Sequence, residues 1–434
     1  MLARRKIQLL LWSYFWLLIF EGALRKWVLP SLSNPLLVVR DPIAVWAVII
    51  GLPYLLRSSW TLWVYAFWFI GIISVFSALA FGHGDIVTAL FGARVLWFHL
   101  PLIFLFAAVF DYKYAMRFLK SAAILAIPMT ILAGLQFSLP QDHIVNYAPG
   151  GEGGVGFSGA LGKFRPPGTF SFINGLAEFY ALASAGVLAF FFIEKSKNKW
   201  SFFSLLAIVA ILPISISRTL LYKYLVNLIA AAFSLFTNKQ GLKTAIIFII
   251  ILLLSMIGVS FFKTVQEAQE AFLARWTDAN YQEGGAKGAS EALRVRMQSG
   301  TLDEFQRLFD QPIFGQGIGL GSNVGAMRVT GSRDFLVSES AWGMLIGELG
   351  PLIGSLALGL RIALGLFLFK KAFFELKAGN MLPMLLSGVG VIGVILGNTA
   401  QPTSLGFVVV CAGLMLAACN NRIITIYSNL FDNE

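Results

Sequence analysis

Residues 243–262 read KTAIIFIIILLLSMIGVSFF, and only the first of these residues is charged. A helix needs ~20 apolar residues to cross the ~30 Å hydrocarbon core of a bilayer. The pattern then changes to TVQEAQEAFLARW (264–276), in which charged and apolar residues alternate with the period of an amphipathic helix. This junction predicts a membrane-spanning helix followed by a polar segment outside the membrane.

The composition of the whole chain agrees with this interpretation. The 434 residues are 57% hydrophobic and 13% charged, and the mean hydropathy is +0.76. Soluble domains carry roughly 25% charged residues. Because lipid cannot satisfy backbone polar groups, the apolar runs must form helices, and they are too long for the alternating strands of a barrel. The sequence predicts an all-α polytopic membrane protein.

The apolar runs also predict how the chain is organised. The ~20-residue criterion gives about twelve membrane spans. Their approximate cores are 7–23, 36–56, 60–81, 88–110, 115–137, 171–193, 200–216, 219–236, 243–262, 339–369, 381–398 and 404–420. Residues 1–262 would hold spans 1–9 with a loop at 138–170, residues 263–338 one large loop, and residues 339–434 spans 10–12. The first run lacks a small-residue cleavage site, so we expect an uncleaved span.

The basic residues predict the orientation of these spans. They concentrate in alternate turns, namely Arg57, Lys113, Arg117, Lys120, Lys195, Lys197, Lys199, Lys239, Lys243, Lys370, Lys371, Lys377 and Arg422. Lys- and Arg-rich short loops face the cytoplasm. Both termini are then cytoplasmic, and the loops at 138–170 and 263–338 lie on the outer side. Topology accounts for the net charge of +11, so nucleic acid is not an expected partner.

Three outer segments carry basic residues against this preference, and we expect them to have another role. The first is Arg25-Lys26, where the alternative is that Arg25 simply pairs with Glu21 four residues earlier on the same helix. The second is the loop at 138–170, and the third is the long polar segment 263–338.

The loop at 138–170 contains NYAPGGEGGVGFSGALGKFRPPGTF (146–170). Its glycines allow the backbone to approach a ligand or a neighbouring loop closely. Arg165 lies near its end, just before the next span. Asn174 and Glu178, four residues apart on that span, share one helix face close to the outer surface, where polar groups usually face a cavity or the bundle interior.

A second outer arginine is Arg218, in the very short turn SISRT (215–219) between the seventh and eighth spans. Tyr222 follows one turn later on the same helix. Arg218 could bind an anionic ligand, or it could extend toward lipid headgroups without a specific ligand.

The segment 263–338 predicts two amphipathic helices, 264–276 and 290–309, followed by the glycine-rich turn QPIFGQGIGLGSN (311–323). Gly315 and Gly317 could leave backbone N–H groups free to bind an anion. The turn does not match a nucleotide-binding loop, because no GxxxxGK[ST] pattern is present.

The tenth span begins SESAWGMLIGELGPLIG (338–354) and is longer than a bilayer requires. Gly347, Gly350 and Pro351 predict a kink near Glu348, a carboxyl group that we expect to be protonated or hydrogen-bonded in the core. Glu339 stands at the outer end of this span. It could act as a general base toward a hydroxyl group, or it could neutralise an arginine in a structural pair.

Together these residues suggest a site for a multiply charged anion. Guanidinium groups bind phosphate bidentately and stay charged, and Arg165, Arg218 and the pair Arg294 and Arg296 come from three separate outer segments. At a membrane surface a lipid-linked diphosphate is the natural ligand. His83, His99 and His143 are scattered, and Cys411 and Cys419 both lie in the last span, so we expect no metal and no cofactor.

The order of these motifs resembles that of bacterial O-antigen ligases and Wzy-type polysaccharide polymerases. RPPGTFSFINGLAEF (165–179) resembles their R-x-x-G-T-F-x-x-x-N-x-x-A element, and Ser217-Arg218 resembles their S-R pair. PIFGQGIG (312–319) resembles their P-x-x-G-x-G turn, and ESAWGMLIGELG (339–350) resembles their H-N-x-x-L-x-x-x-x-E-x-G element. The resemblance covers about residues 90–400, and EGALRKWVLP (21–30) is similar to exopolysaccharide polymerases.

The resemblance implies a metal-independent, inverting glycosyltransferase of the C superfamily on the outer face of the bacterial inner membrane. Its donor and acceptor would be glycans linked to undecaprenyl diphosphate, and a chain-length regulator is a candidate partner. Arg296, or Arg294 close to it, corresponds to a donor-contacting arginine. Glu339 stands where the ligases have histidine. We therefore expect a polymerase, with a ligase as the alternative and a lipid-linked oligosaccharide transporter as the alternative of another class.

Overall fold

A computed structural model describes residues 2–154, 156–195, 198–237, 241–284, 306, 310–332, 337–338 and 340–420. Arg294, Arg296 and Glu339 lie outside these ranges. In the first part of the chain the α-helices are α1 (Leu2–Ala23), α2 (Ser33–Leu36), α3 (Arg40–Leu56), α4 (Thr61–Ala80), α5 (Ile86–Arg94), α6 (Leu102–Val109) and α7 (Tyr112–Ser138). A π-helical turn, Leu24–Val28, extends α1. Another, Val95–His99, follows α5 and leads to α6.

The second part of the described chain contains nine further helices. They are α8 (Ile173–Phe192), α9 (Lys199–Ile214), α10 (Arg218–Thr237), α11 (Gly241–Ser260), α12 (Lys263–Gly284), α13 (Asn323–Thr330), α14 (Ala341–Lys377), α15 (Leu382–Leu396) and α16 (Pro402–Ala418). The loop between α7 and α8 contains a 3₁₀ turn, Ile144–Asn146, and a small antiparallel hairpin of β1 (Phe157–Ser158) and β2 (Phe164–Arg165). The predicted amphipathic helix at 290–309 falls almost wholly outside the described residues.

Within the described residues, nine helical segments are long and apolar enough to cross a membrane. They are Leu2–Val28, Pro30–Leu56, Thr61–Ala80, Ile86–Val109, Tyr112–Ser138, Ile173–Phe192, Arg218–Thr237, Lys243–Ser260 and Ala341–Lys377. The shorter apolar helices α9, α15 and α16 coincide with the predicted seventh, eleventh and twelfth spans. The prediction of an all-α polytopic membrane protein is therefore confirmed.

The centre of the bundle is formed by α8 and α16, which are buried along most of their length. Both are rich in small and apolar residues on all sides, as expected for a helix surrounded by other helices. α6 packs against α16, and α7 packs against α8. The helices that carry many exposed apolar side chains, such as α4 and α11, lie at the periphery, where a lipid environment would cover them.

The turns at one end of the bundle contact one another, and we call this end the loop face. It comprises the described parts of 24–39, 81–85, 139–172, 215–217, 261–340 and 397–401. The His83 N–H donates to the carbonyl oxygen of Gln316 (3.1 Å), and Lys163 Nζ lies 2.7 Å from Glu267 Oε2. The turns at 57–60, 110–111 and 378–381 form the opposite face. The loop face thus gathers the segments that the sequence places on the outer side.

The end of α1 packs directly against residues 168–171, which we call the GTFS segment. A Cβ atom on Gly22 would lie 2.3 Å from the carbonyl oxygen of Thr169, so only glycine permits this approach. Thr169 Oγ1 donates to the carbonyl oxygen of Ile19 (2.7 Å), and Gly168 N donates to Gln136 Oε1 on α7 (2.8 Å). The GTFS segment is therefore held between α1 and α7.

A second close backbone contact joins the glycine-rich turn to α14. The predicted kink in α14 is confirmed, because Gly350 has φ 73° and ψ 174° inside the helix. The kink exposes backbone carbonyl groups to the turn. Gln316 N donates to the carbonyl oxygen of Gly347 (2.8 Å) and Gly317 N to that of Glu348 (2.9 Å). This contact positions the start of α14 at the loop face.

A pair of matched alanine substitutions tests the contact between α1 and the GTFS segment. Gly22→Ala places a methyl group against backbone atoms, and overpacking of this kind costs about 1–3 kcal/mol. We expect the detergent-solubilised variant to unfold at a lower temperature. Gly134→Ala on α7 is the control, because a Cβ there meets no atom within 4 Å, and alanine stabilises a helix relative to glycine. Equal unfolding temperatures for the two variants would contradict the packing argument.

Candidate functional site

A cavity with a volume of about 880 Å³ lies in the loop face. Its walls come from the end of α1 and the turn that follows, the loop between α7 and α8, α5 and α13. Cavities of this size accommodate ligands larger than a single phosphate group. It is therefore the candidate site.

Among the described residues, four cationic side chains and one carboxylate line this cavity. The cations are Arg25, Lys26, Arg165 and Arg328, and the carboxylate is Glu152. They come from segments far apart in the sequence, so the fold brings them together. The excess of positive charge suits an anionic ligand.

Arg165, the first of the predicted anion-binding residues, lies on the cavity wall. It is the last residue of β2, and its backbone pairs with Phe157 of β1. Pro166 and Pro167 follow it and also line the cavity. The pairing of Arg165 within the hairpin and the GTFS segment that follows it hold its backbone in place.

Arg25 and Lys26 form the part of the wall contributed by the end of α1, and both are buried. Arg25 Nε donates to the carbonyl oxygen of Ser33 (2.7 Å), and Arg25 Nη1 donates to Ser171 Oγ (2.8 Å). Arg25 Nη1 also lies 3.7 Å from Glu21 Oε1, so the predicted pair four residues apart is confirmed. Lys26 Nζ donates to the carbonyl oxygen of Gly168 (2.9 Å).

Arg328, on α13, pairs with Asp85 at the rim of the cavity. Arg328 Nε lies 2.7 Å from Asp85 Oδ2, and Nη2 lies 3.2 Å from Oδ1. Asp85 also caps α5, accepting hydrogen bonds from the amide (2.9 Å) and the hydroxyl (2.7 Å) of Thr88. The Arg328 guanidinium, together with Thr88, holds the pKa of the Asp85 carboxyl well below its usual range. The pair fastens α13 to α5.

Five aromatic rings and five amide side chains also line the cavity. The rings are Phe91, Tyr147, Phe157, Phe164 and Phe172, and the amides are Asn34, Gln136, Gln141, Asn146 and Asn323. Aromatic faces offer apolar contact area, while amide groups can both donate and accept hydrogen bonds. This combination suits a polar ligand with many hydroxyl groups.

A smaller cavity of about 60 Å³ lies next to Phe91, which lines both cavities. Arg94 and Glu348 line it, and so does Ala341, the first residue of α14. Glu348 is buried, and its Oε1 accepts a hydrogen bond from Gly321 N (2.6 Å). The expectation that Glu348 is hydrogen-bonded in the core is confirmed.

A third cavity, of about 390 Å³, lies among α8, α9, α10, α11 and α12. Its lining is mostly leucine, valine, isoleucine and phenylalanine, with a few polar groups such as Gln269 and Asn227. It could hold a hydrocarbon chain, but none of the described residues that line it carries a charge that would bind a diphosphate.

The other described candidate residues do not line the 880 Å³ cavity. Arg218 begins α10, and Tyr222 lies one turn later with its ring 6.2 Å from that of Trp276. Glu178 Oε2 lies 2.9 Å from Lys223 Nζ, and Asn174 Nδ2 donates to Gln401 Oε1 (3.4 Å). These groups link helices at the loop face.

The turn that precedes Arg218 packs on the Arg165 hairpin, because a Cβ atom on Gly159 would contact Ile216.

The prediction that Gly315 and Gly317 leave N–H groups free for an anion is wrong. Gly315 N donates to the carbonyl oxygen of Pro312 (2.8 Å), and Gly317 N donates to the carbonyl oxygen of Glu348 (2.9 Å). A Cβ on Gly315 would lie 2.4 Å from the carbonyl oxygen of Glu348 and from Gly350 N. The kink in α14 exposes carbonyl groups that need donors, so the turn binds protein backbone instead of a ligand.

Some of the cavity groups were not among the predicted site residues. In the sequence, Arg25 and Lys26 stand out only because basic residues on the predicted outer side oppose the topogenic preference. Arg328 was one of many arginines in the long polar segment. No pattern joined it to Asp85, which lies 243 positions earlier. Within the described residues, no group of three or more His, Cys, Asp or Glu side chains could hold a metal ion.

Comparison with known protein families finds no matching family, and comparison with curated proteins finds no significantly similar sequence. A function for this protein is therefore inferred from its own residues and from the cavity that they form.

The Asp85–Arg328 pair predicts how acid affects the rim. The folded-state pKa of Asp85 is depressed, so the pair is present above the usual aspartic acid pKa of ~4 and is lost as the pH falls through the lowered value. In hydrogen exchange corrected for intrinsic rates, the amides of α13 should lose protection at low pH. Asp85→Asn, which keeps a good helix cap, should show that loss already at pH 7.

The control for this measurement is Lys263→Gln. Lys263 Nζ lies 3.9 Å from Glu267 Oε1 and is largely exposed, so this change should leave α13 protected. Equal protection of α13 in Asp85→Asn and the unsubstituted protein at pH 7 would show that the pair does not fasten the helix.

Proposed function

We propose that this protein is a membrane glycosyltransferase that polymerises oligosaccharide repeat units linked to undecaprenyl diphosphate. The observation that carries the proposal is the 880 Å³ cavity, whose wall includes Arg165 and three further cations at the loop face of a membrane-type helical bundle. The reaction type is taken from the resemblance to O-antigen ligases and Wzy-type polymerases, which lies in the motifs around Arg165, Arg218, the glycine-rich turn and α14.

The charges of the cavity support a diphosphate as the leaving group. Guanidinium and ammonium groups form short, strong hydrogen bonds to phosphate oxygens. When the bond between the anomeric carbon and the diphosphate oxygen breaks, negative charge develops on that oxygen. Cations held in place before the reaction would stabilise this charge without reorganising.

The size and the aromatic and amide lining of the cavity support a glycan. A diphosphate alone would occupy only part of about 880 Å³. Sugar rings present hydroxyl groups to amides such as Gln141 and apolar faces to rings such as Tyr147. One wall could therefore bind the phosphates while the remainder binds the sugar units.

The proposed chemistry is an inverting transfer. A hydroxyl oxygen of the acceptor glycan attacks the anomeric carbon of the donor, the new glycosidic bond forms, and undecaprenyl diphosphate leaves. The hydroxyl proton passes to a base, which we assign to Glu339. Arg296 or Arg294 would contact the donor, as the resemblance implies. The mechanism assigns no role to a metal or a cofactor.

The proposed setting is the bacterial inner membrane, with twelve spans, both termini in the cytoplasm and the loop face on the outer side. Nine spanning-length helices and three shorter apolar helices supply enough segments for this topology. The donor, the acceptor and the bilayer are the proposed partners, and a chain-length regulator is a further one.

Substitution of the proposed site residues is the first test. Arg165→Ala removes a cation from the cavity wall, so cells should lose long-chain polysaccharide while the protein still accumulates in the membrane. The same loss is expected for Arg218→Ala and Glu339→Gln. Arg117→Ala is the matched control, because Arg117 is exposed on the first turns of α7, away from the loop face. Normal polymer length in all three site variants would refute the site assignment.

The glycan pattern of a deletion strain distinguishes the polymerase from its alternatives. A lost polymerase should leave single repeat units on the acceptor. A lost ligase would instead leave full-length chains on undecaprenyl diphosphate. Purified protein in detergent should join repeat units, whereas a transporter would show no transfer there, because transport requires two compartments.

A further inference from the structure

Beside the cavity wall, the end of α1 and Arg40 of α3 form a cluster with an imbalance of buried charge. Glu21, Arg25, Lys26 and Arg40 are all at most 7% exposed. Three of these groups are cations, and one is an anion. Burying a charge without a counter-ion is costly, so the imbalance needs a physical explanation.

The single carboxylate of this group is shared by the two arginines. Glu21 Oε2 lies 3.0 Å from Arg40 Nε, and Glu21 Oε1 lies 3.7 Å from Arg25 Nη1. The shorter distance shows that Arg40 is its main partner. Arg25 therefore has only a longer, shared contact with a counter-ion.

Lys26 has no counter-ion of this kind. Among the residues that the structure describes, no carboxylate oxygen lies within 4.0 Å of its ammonium nitrogen. Lys26 Nζ donates a hydrogen bond to the carbonyl oxygen of Gly168 (2.9 Å) and makes a cation–π contact with Trp27, 5.1 Å from the ring centre. Both contacts are favourable, but neither one neutralises the charge.

The neighbouring charges do not correct the imbalance. Arg94 Nη1 lies 2.7 Å from Asp41 Oδ1, so Arg94 and this carboxylate balance each other. Within the described part of the chain, the cluster then contains four cations and two carboxylates, so the excess remains two positive charges.

The carbonyl oxygen of Gly168 does not require Lys26 either. Gln136 Nε2 also donates to this oxygen, at 3.1 Å. A purely structural role would leave no reason for a charged group here, because a neutral side chain of similar length could fill the same space.

We propose that Arg25 and Lys26 form, together with Arg165, the wall that binds the diphosphate of the lipid-linked substrate. All three line the same cavity. A diphosphate carries enough negative charge to balance the excess of the buried cluster, and it accepts hydrogen bonds from both ammonium and guanidinium groups. The lipid-linked nature of the ligand rests on the proposed function, whereas the anion site does not.

The test uses the purified full-length protein with inorganic pyrophosphate and farnesyl diphosphate as probes. Binding is measured by calorimetry, and thermal unfolding is measured with and without each probe. Lys26→Met keeps the length of the side chain and removes its charge. We expect it to weaken binding of both probes by at least about tenfold, the effect of losing a hydrogen bond to a charged group.

The stability of the ligand-free variant separates a binding role from a structural one. Because Lys26→Met removes a charge without a counter-ion, its ligand-free unfolding temperature should be unchanged or higher. A lower temperature together with unchanged affinity would overturn the proposal. The matched control is Lys120→Met. Lys120 lies toward the opposite face and pairs with Glu194, so this variant should bind both probes normally.

A second variant, Arg25→Gln, keeps the proposal testable if Lys26→Met does not fold. Glu21 retains Arg40 as its partner in this variant, and the affinity should again fall at least about tenfold. Unchanged affinity in Arg25→Gln, or no binding of either probe by the unsubstituted protein, would refute the anion site. Farnesyl diphosphate binding no more tightly than pyrophosphate would indicate a site for a free anion and overturn the lipid-linked assignment.

The outcomes also separate this inference from the proposed function. If the variants lose diphosphate binding while a deletion strain makes normal polysaccharide, the proposed function fails and the anion site stands. If Arg165→Ala abolishes the polymer while Lys26→Met binds diphosphate normally, the function stands and this inference fails.

Discussion

The backbone contact between α1 and the GTFS segment determines how the candidate site is built. Because residue 22 is glycine, the backbones of α1 and the GTFS segment approach more closely than any side chain at this position would allow. The hydrogen bonds from Thr169 to Ile19 and from Lys26 to Gly168 then cross this contact. Because Arg165 precedes the GTFS segment by only three residues, the same contact brings it to one cavity with Arg25 and Lys26.

The kink in α14 has a similar function on the other side of the loop face. A regular helix would use the carbonyl groups of Gly347 and Glu348 internally. At the kink these groups accept N–H donors from the glycine-rich turn. The turn continues to α13, which Asp85 ties to α5. Two backbone contacts and one ion pair thus connect segments from the beginning, middle and end of the chain, and the cavity lies between them.

Part of this arrangement could be predicted because it depends on local chemistry. Long apolar runs predict helices in lipid, glycine and proline near Glu348 predict a kink, and Glu21 and Arg25 lie on one face of a helix. The role of the glycine-rich turn could not be predicted. The sequence shows that the turn has N–H groups to donate. It does not show their acceptors, because the carbonyl groups of Gly347 and Glu348 on α14 are exposed only by the kink. An anion site and a backbone-binding turn look the same in sequence.

Hydropathy, periodicity and charge asymmetry are properties of neighbouring residues. The sequence alone therefore establishes a polytopic helical membrane protein, the approximate positions of its helices and the unusual basic residues of its predicted outer segments. Which charges share a cavity depends on the packing of distant segments and is seen only in the folded chain. Arg165 lines the same cavity as Arg25, Lys26 and Arg328, whereas Arg218 does not line it. The balance of buried charge was likewise invisible in the sequence, because a counter-ion is defined by distance in space, and partners such as Asp85 and Arg328 lie 243 residues apart.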